Sequence, residues 1–273
     1  MSFNDSRKSV FLIPLGISIV SLLVFVLAIT LNWMGESGMH GMKFCESGYP
    51  GLIKQPVNTF SNIGFIIVGL GMAYSQSKRH FAQNNNLFTR TNFFPTFFAS
   101  LIVVLGPGSM ALHATTTKVG GFLDLFSMYL AASFTFSYAI SRLLKWKSLG
   151  FSLMFIIALG IHIYVHFLPY EIPFVGVIGS FCFGVFIILS AIIELTSHRI
   201  RKVQIEAKFG YACVLTMIIA TFIWGKSLTG APWCDPSSLI QGHGIWHLLN
   251  ALSVYFLYRF YVSENFISKK VNA

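Results

Sequence analysis

Eight apolar runs divide the chain, at about residues 10–31, 58–74, 93–115, 122–140, 149–167, 172–195, 209–228 and 243–261. Polar stretches carrying Lys, Arg, Gly and Asn separate them. A run of roughly 20 apolar residues is what a helix needs to cross the hydrocarbon of a bilayer. In lipid, a helix also satisfies its own backbone hydrogen bonds. The pattern therefore predicts an all-α, polytopic transmembrane helical bundle of eight helices. Pro95 falls in the first turn of the third helix, where its missing N–H costs nothing. Pro107 falls deep inside the same helix and predicts a kink near Gly106–Pro107. The first run is longer than the roughly 7–15 apolar residues of a signal peptide, and no small-x-small cleavage motif follows it, so this helix is expected to be retained.

Composition agrees with the pattern. Of 273 residues, 55% are hydrophobic and only 10% charged, against about 25% charged in an ordinary soluble domain. The 28 Phe suit lipid-facing and interhelical packing. The net charge of +10 does not indicate nucleic-acid binding, because in a membrane protein Lys and Arg concentrate in cytoplasmic loops. Eight spans put both termini on one side. That side would hold fifteen of the 19 basic residues, among them Arg79, Arg142, Arg199, Lys202, Lys269 and Lys270, and the other side Lys43, Lys54, Lys118 and Lys226. This asymmetry predicts N-in and C-in. Four cysteines occur without a CxxC spacing. Cys182 and Cys213 lie in apolar runs and read as packing residues. Cys45 and Cys234 fall in non-cytoplasmic loops, on a side whose redox state permits a disulfide.

Polar residues within the apolar runs carry the candidate chemistry, because charged or ligating groups at membrane depth are costly and usually face a cavity or a partner. Ser109 and His113 in GPGSMALHATTTKVGGFLD are one helical turn apart, and Asp124 follows in the next run. His243 and His247 in HGIWH are also one turn apart, a spacing that can grip one metal ion, although a lone HxxxH is a weak signal. Helix directions bring His113, Asp124, His243 and His247 to one depth in the non-cytoplasmic half. Three neutral imidazoles leave zinc one open position, at which water loses a proton near neutral pH. Asp124 would act as general base and then acid, and Ser109 would donate to an oxyanion. Taken alone, Ser109 reads as back-bonded to a helix carbonyl and Asp124 as a helix cap. His162 and His166 form a second pair four apart, without an accompanying Ser or Asp, and read as interface histidines or substrate contacts. His40, His80 and His198 read as loop residues, Glu194 as a group near a helix end that reaches water, and Trp246 as packing at the membrane interface.

The segments GSMALHATTTKVGGFLD, QPVNTFSNIGFIIVG and CDPSSLIQGHGIWHLLNALS resemble the alkaline ceramidase family, part of a membrane hydrolase superfamily that includes adiponectin/progestin-type receptors. The resemblance covers about residues 43–262. It implies a seven-helix core, with zinc on His113, His243 and His247, Asp124 orienting or deprotonating water, and Ser109 stabilising the oxyanion. On that reading, residues 1–32 form an N-terminal tail and an additional transmembrane helix, and 33–57 a non-cytoplasmic loop. Residues 58–262 form the ceramidase-like membrane domain and 263–273 a cytoplasmic tail. The pattern departs from eukaryotic members at their acidic calcium site. Here Lys43, Gly48 and Gln55 replace acidic or amide positions, and only Glu46 keeps its carboxylate. Calcium wants six to eight oxygens, so the calcium site of eukaryotic relatives is predicted absent.

The expected function is a zinc-dependent amidase that hydrolyses ceramide or a related N-acyl lipid, working as a multi-pass membrane protein with its active site toward the non-cytoplasmic side. Lipids are the expected partners, with no nucleic acid, and the sequence leaves the oligomeric state open. A zinc-containing receptor or sensor with little or no hydrolysis would use the same ligands. A transporter would need polar groups through both leaflets, whereas these occupy one half.

Overall fold

The computed structural model describes residues 3–38, 42–79, 86–172, 176–201 and 204–264. His40, His80, Lys202, Lys269 and Lys270, and most of the expected tail, lie outside the described residues. The helices are α1 (Phe3–Thr30), α2 (Pro56–Ser61), α3 (Ile63–Lys78), α4 (Phe93–Thr115), α5 (Lys118–Leu144), α6 (Ser148–His166), α7 (Ile178–Arg201), α8 (Ala207–Lys226) and α9 (Gly242–Val262). A 3-10 turn at Met42–Phe44 and a two-stranded hairpin, β1 (Glu171–Ile172) and β2 (Gly176–Val177), complete them. Among the described residues, seven helical stretches are long and apolar enough to cross a membrane: α1, α2 with α3, and α4 to α8. The remaining long helix, α9, has 21 residues but carries His243, His247, Asn250 and Arg259. The protein is thus an all-α, polytopic bundle and an integral membrane protein.

α4 is the central helix. It packs against α1, α3 and α5; α9 lies against α3 and α8, and α6 and α7 close on α5. α1 packs against α3 and α4 and leaves Leu12, Val20, Leu23 and Val24 exposed where lipid would meet them. Two glycines let α4 and α5 approach closely. A Cβ at Gly108 would lie 2.7 Å from Ser127 Cβ, and one at Gly120 would lie 2.5 Å from the Ala111 carbonyl oxygen. Small residues at a helix crossing bring backbones together in membranes, where dispersion replaces the hydrophobic drive. Towards the other end of α4 the core is aromatic, with Phe98 stacked on Phe134 (4.7 Å) and Tyr138 against Tyr261 (4.5 Å).

Several sequence expectations change. The second apolar run is two helices, because Asn62 donates its side-chain amide to the Asn58 carbonyl at 2.8 Å and competes with the regular ladder. α5 begins at Lys118, capped by the Thr117 hydroxyl accepting from Gly120 N at 3.0 Å, so Asp124 lies in the second turn and is not the cap. α7 begins six residues later than expected, because Ile172 precedes Pro173, which favours extended backbone. α7 runs on to Arg201 and so takes in His198. Arg142 and Glu194 are not solvated helix ends. Arg142 is buried in α5, pairs with Glu194 of α7, and donates from Nε to Glu264 at 3.0 Å.

Candidate metal centre

The end of α4, the start of α9, and the loop running into α2 meet at one point. His113, His243 and His247 are all buried there, and each offers a ring nitrogen within 4.8 Å of the others. The Nε2 atoms of His113 and His243 are 3.1 Å apart. The rings of His243 and His247 have centroids 4.4 Å apart, and those of His113 and His247 5.1 Å.

Neighbouring groups decide which nitrogen of each ring is free. Gln55 Oε1 lies 2.8 Å from His113 Nδ1, while its Nε2 donates to the Glu46 carbonyl at 3.1 Å. The second contact fixes which way the amide points. An amide oxygen only accepts, so His113 carries its proton on Nδ1 and turns the lone pair of Nε2 to the cluster. The same logic holds for His247. Ser61 donates its single hydroxyl proton to the Asn58 carbonyl (2.9 Å), so it accepts from His247 Nδ1 (2.7 Å), again leaving Nε2 with its lone pair. His243 stacks on Phe44 at 4.0 Å and lies parallel to Trp246 at 5.3 Å. Trp246 therefore also packs against this site.

The donor set fits a metal ion. Two imidazole nitrogens 3.1 Å apart need a proton or a cation between them. A tetrahedral zinc about 2.0–2.1 Å from each nitrogen would set its ligands roughly 3.3 Å apart. Outer groups that fix the tautomer, as Gln55 and Ser61 do here, are the usual companions of ligating histidines.

The loop is tied down on both sides of Phe44. Cys45 and Cys234 form a disulfide with Cα atoms 5.5 Å apart, joining the loop before α2 to the loop before α9. Gln55 N donates to the His113 carbonyl at 3.0 Å, and Lys54 N to that of Ala114 at 2.9 Å. Glu46 is buried, and its two carboxylate oxygens accept from Val57 N and Asn58 N, each at 2.8 Å. Those amides are the open donors at the start of α2, so Glu46 caps that helix from a distance. Burial raises the Glu46 carboxyl above its ordinary value, and the two amides pull it partly back. Glu46 and Gln55, two of the four positions compared above with a calcium site, serve α2 and His113 here.

Ser109 is buried one turn before His113. Its hydroxyl lies beside the Asp124 carboxylate without normal hydrogen-bond geometry to it, and finds no other partner among the described residues. It is therefore not back-bonded to its own helix. The close α4–α5 crossing at Gly108 sets this pair face to face. His162 and His166 lie elsewhere, against Tyr129 between α5, α6 and α7. Gln55, Ser61 and Phe44 were not singled out as metal-site residues by the sequence. The density of polar residues in QPVNTFSN, at the head of an apolar run, was the available signal.

A family model described as Ceramidase matches residues 40–271. No curated protein gives a significant match.

Proposed function

The chain belongs to the ceramidase family, and from that membership we propose a zinc-dependent intramembrane amidase that cleaves ceramide or a related N-acyl lipid. The family supports lipid amide hydrolysis in general. The observation that carries the finer reading is the convergence of three buried imidazoles, two of them held by Gln55 and Ser61 with Nε2 bare.

His113, His243 and His247 would hold the ion, which when bound supplies a Lewis acid able to make water acidic near neutral pH. Asp124 takes a proton from the attacking water as the C–O bond forms, and returns it to the leaving nitrogen in the following step, when the C–N bond breaks. Ser109, whose hydroxyl makes no regular hydrogen bond among the described residues, donates to the carbonyl oxygen as it becomes negative. The products are a fatty acid and an amine. The end of the bundle with the histidines also carries the disulfide, which suits an oxidising compartment and supports the N-in, C-in orientation with the site on the non-cytoplasmic side.

The test is fatty acid release from a panel of N-acyl lipids by purified protein, with and without a chelator. Release that a chelator stops and zinc restores is expected. Zinc bound in full with no release from any amide or ester would remove the enzymatic claim.

A further inference from the structure

The N-terminal half of α4 faces α1 across a gap. A cavity of about 520 Å³ lies between the two helices, lined from α1 by Ile13 and Ile17 and from α4 by Phe97, Leu101 and Val104. These residues recur at helical spacing, so one stripe from each helix forms a wall. Ser100 also lines the gap, but its hydroxyl donates to the Thr96 carbonyl at 2.8 Å, which keeps the wall apolar. Two lining residues, Ile13 and Phe93, are exposed, so the gap opens sideways where lipid would meet it. It lies at the other end of α4 from the metal centre. Thr96 and His113 are separated by about 25 Å along the helix at 1.5 Å per residue.

The head of the gap is formed by Ser9 on α1 and Asn92 just before α4. Positive charge gathers there. Arg7 and Lys8 immediately precede Ser9, and Arg90 lies two residues before Asn92. Arg7 donates from Nη1 to the Arg79 carbonyl, which brings the end of α3, with Lys78 and Arg79, to the start of α1. Phe11 packs edge-on against Tyr74 at 5.8 Å and holds the same contact. Residues 1–9 and 76–92 together contain five basic residues, against Asp5 as their one acidic residue.

We infer that α1, α3 and α4 form a binding site for one anionic phospholipid of the bilayer. An acyl chain lies in the apolar gap, and the phosphate rests on the basic residues at its head. A gap that opens into hydrocarbon excludes water and takes a hydrocarbon chain. Clusters of Lys and Arg beside spanning helices recruit anionic headgroups. A zwitterionic headgroup brings a cation of its own to a place that is already basic, so charge selects the anionic lipid. α1 supplies one wall and two of the cations.

The test is native mass spectrometry of the full chain released from nanodiscs made of equal parts phosphatidylglycerol and phosphatidylcholine, counting the lipid retained per chain. Wild type should retain one phosphatidylglycerol in preference to phosphatidylcholine. Lys8→Gln and Arg90→Gln should each lower that preference by roughly fivefold. Thr96→Trp fills the gap and leaves every charge in place, and it should abolish the retained lipid. Equal retention of the two lipids by wild type overturns the proposal, as does an unchanged preference in both charge variants. Unchanged retention in Thr96→Trp, with thermal unfolding like wild type, also overturns it, because the site would then be a basic surface and no more. If Thr96→Trp does not fold, Ile13→Trp fills the gap from its exposed wall and is judged in the same way. The readout involves no turnover, so it stands or falls separately from the amidase reading.

Discussion

Gln55→Leu isolates the link between loop and metal centre. Gln55 is wholly buried, and its amide makes two contacts that leucine cannot: it accepts from His113 Nδ1 at 2.8 Å and donates to the Glu46 carbonyl at 3.1 Å. Leucine keeps most of the volume, so packing changes little. His113 Nδ1–H then has no acceptor in that position, at a cost of about 1–3 kcal/mol. The ring can recover by moving its proton to Nε2, which hides the lone pair from the metal. Either route weakens zinc binding, by roughly 10- to 100-fold as for other outer partners of ligating histidines. Gln55→Glu keeps an acceptor facing His113 and should lose much less. Zinc affinity is read by competition with a chromogenic chelator on purified protein, with helicity by circular dichroism as the control. Equal affinities for wild type and Gln55→Leu, with the fold intact, would refute the assignment of tautomer and role.

Asp124→Asn and Ser109→Ala should each retain zinc while turnover falls, the second by about 10²- to 10³-fold; zinc content measured beside fatty acid release separates them from His247→Ala, which should lose both. Cys45→Ala opens a loop closed over a sequence separation of 189 and should cost roughly 2–5 kcal/mol, seen as a lower midpoint of thermal unfolding that reductant reproduces in wild type and not in the variant. Arg142→Met leaves Glu194 and Glu264 facing one another without the guanidinium, and a loss of about 3–5 kcal/mol is expected in denaturant unfolding.

The parts legible in the sequence were those where polarity stands out against lipid. Three histidines, a serine and an aspartate in apolar runs are conspicuous because such residues are costly there, and helix direction sufficed to bring the histidines to one end. What supports them was not legible. Gln55 reaches His113 across 58 positions and Ser61 reaches His247 across 186, and no local pattern encodes such pairings. Arg142 was read as a loop charge because basic residues usually mark the ends of spans. Its partners come from 52 and 122 positions away and carry it into the interior. Asp124 was a candidate helix cap only while Thr117 was assigned to a connection. The helix break at Asn62 follows from one side chain taking one carbonyl, too fine a signal for an apolar run to show.

The central claim is that three imidazoles hold one ion and that amide hydrolysis depends on it. The most direct measurement strips the purified chain with a chelator and follows fatty acid release as zinc is titrated back. Activity should rise in proportion to bound zinc and level off at one ion per chain, with no rise in His247→Ala. Full release from stripped protein, or an unchanged titration in that variant, would contradict the account.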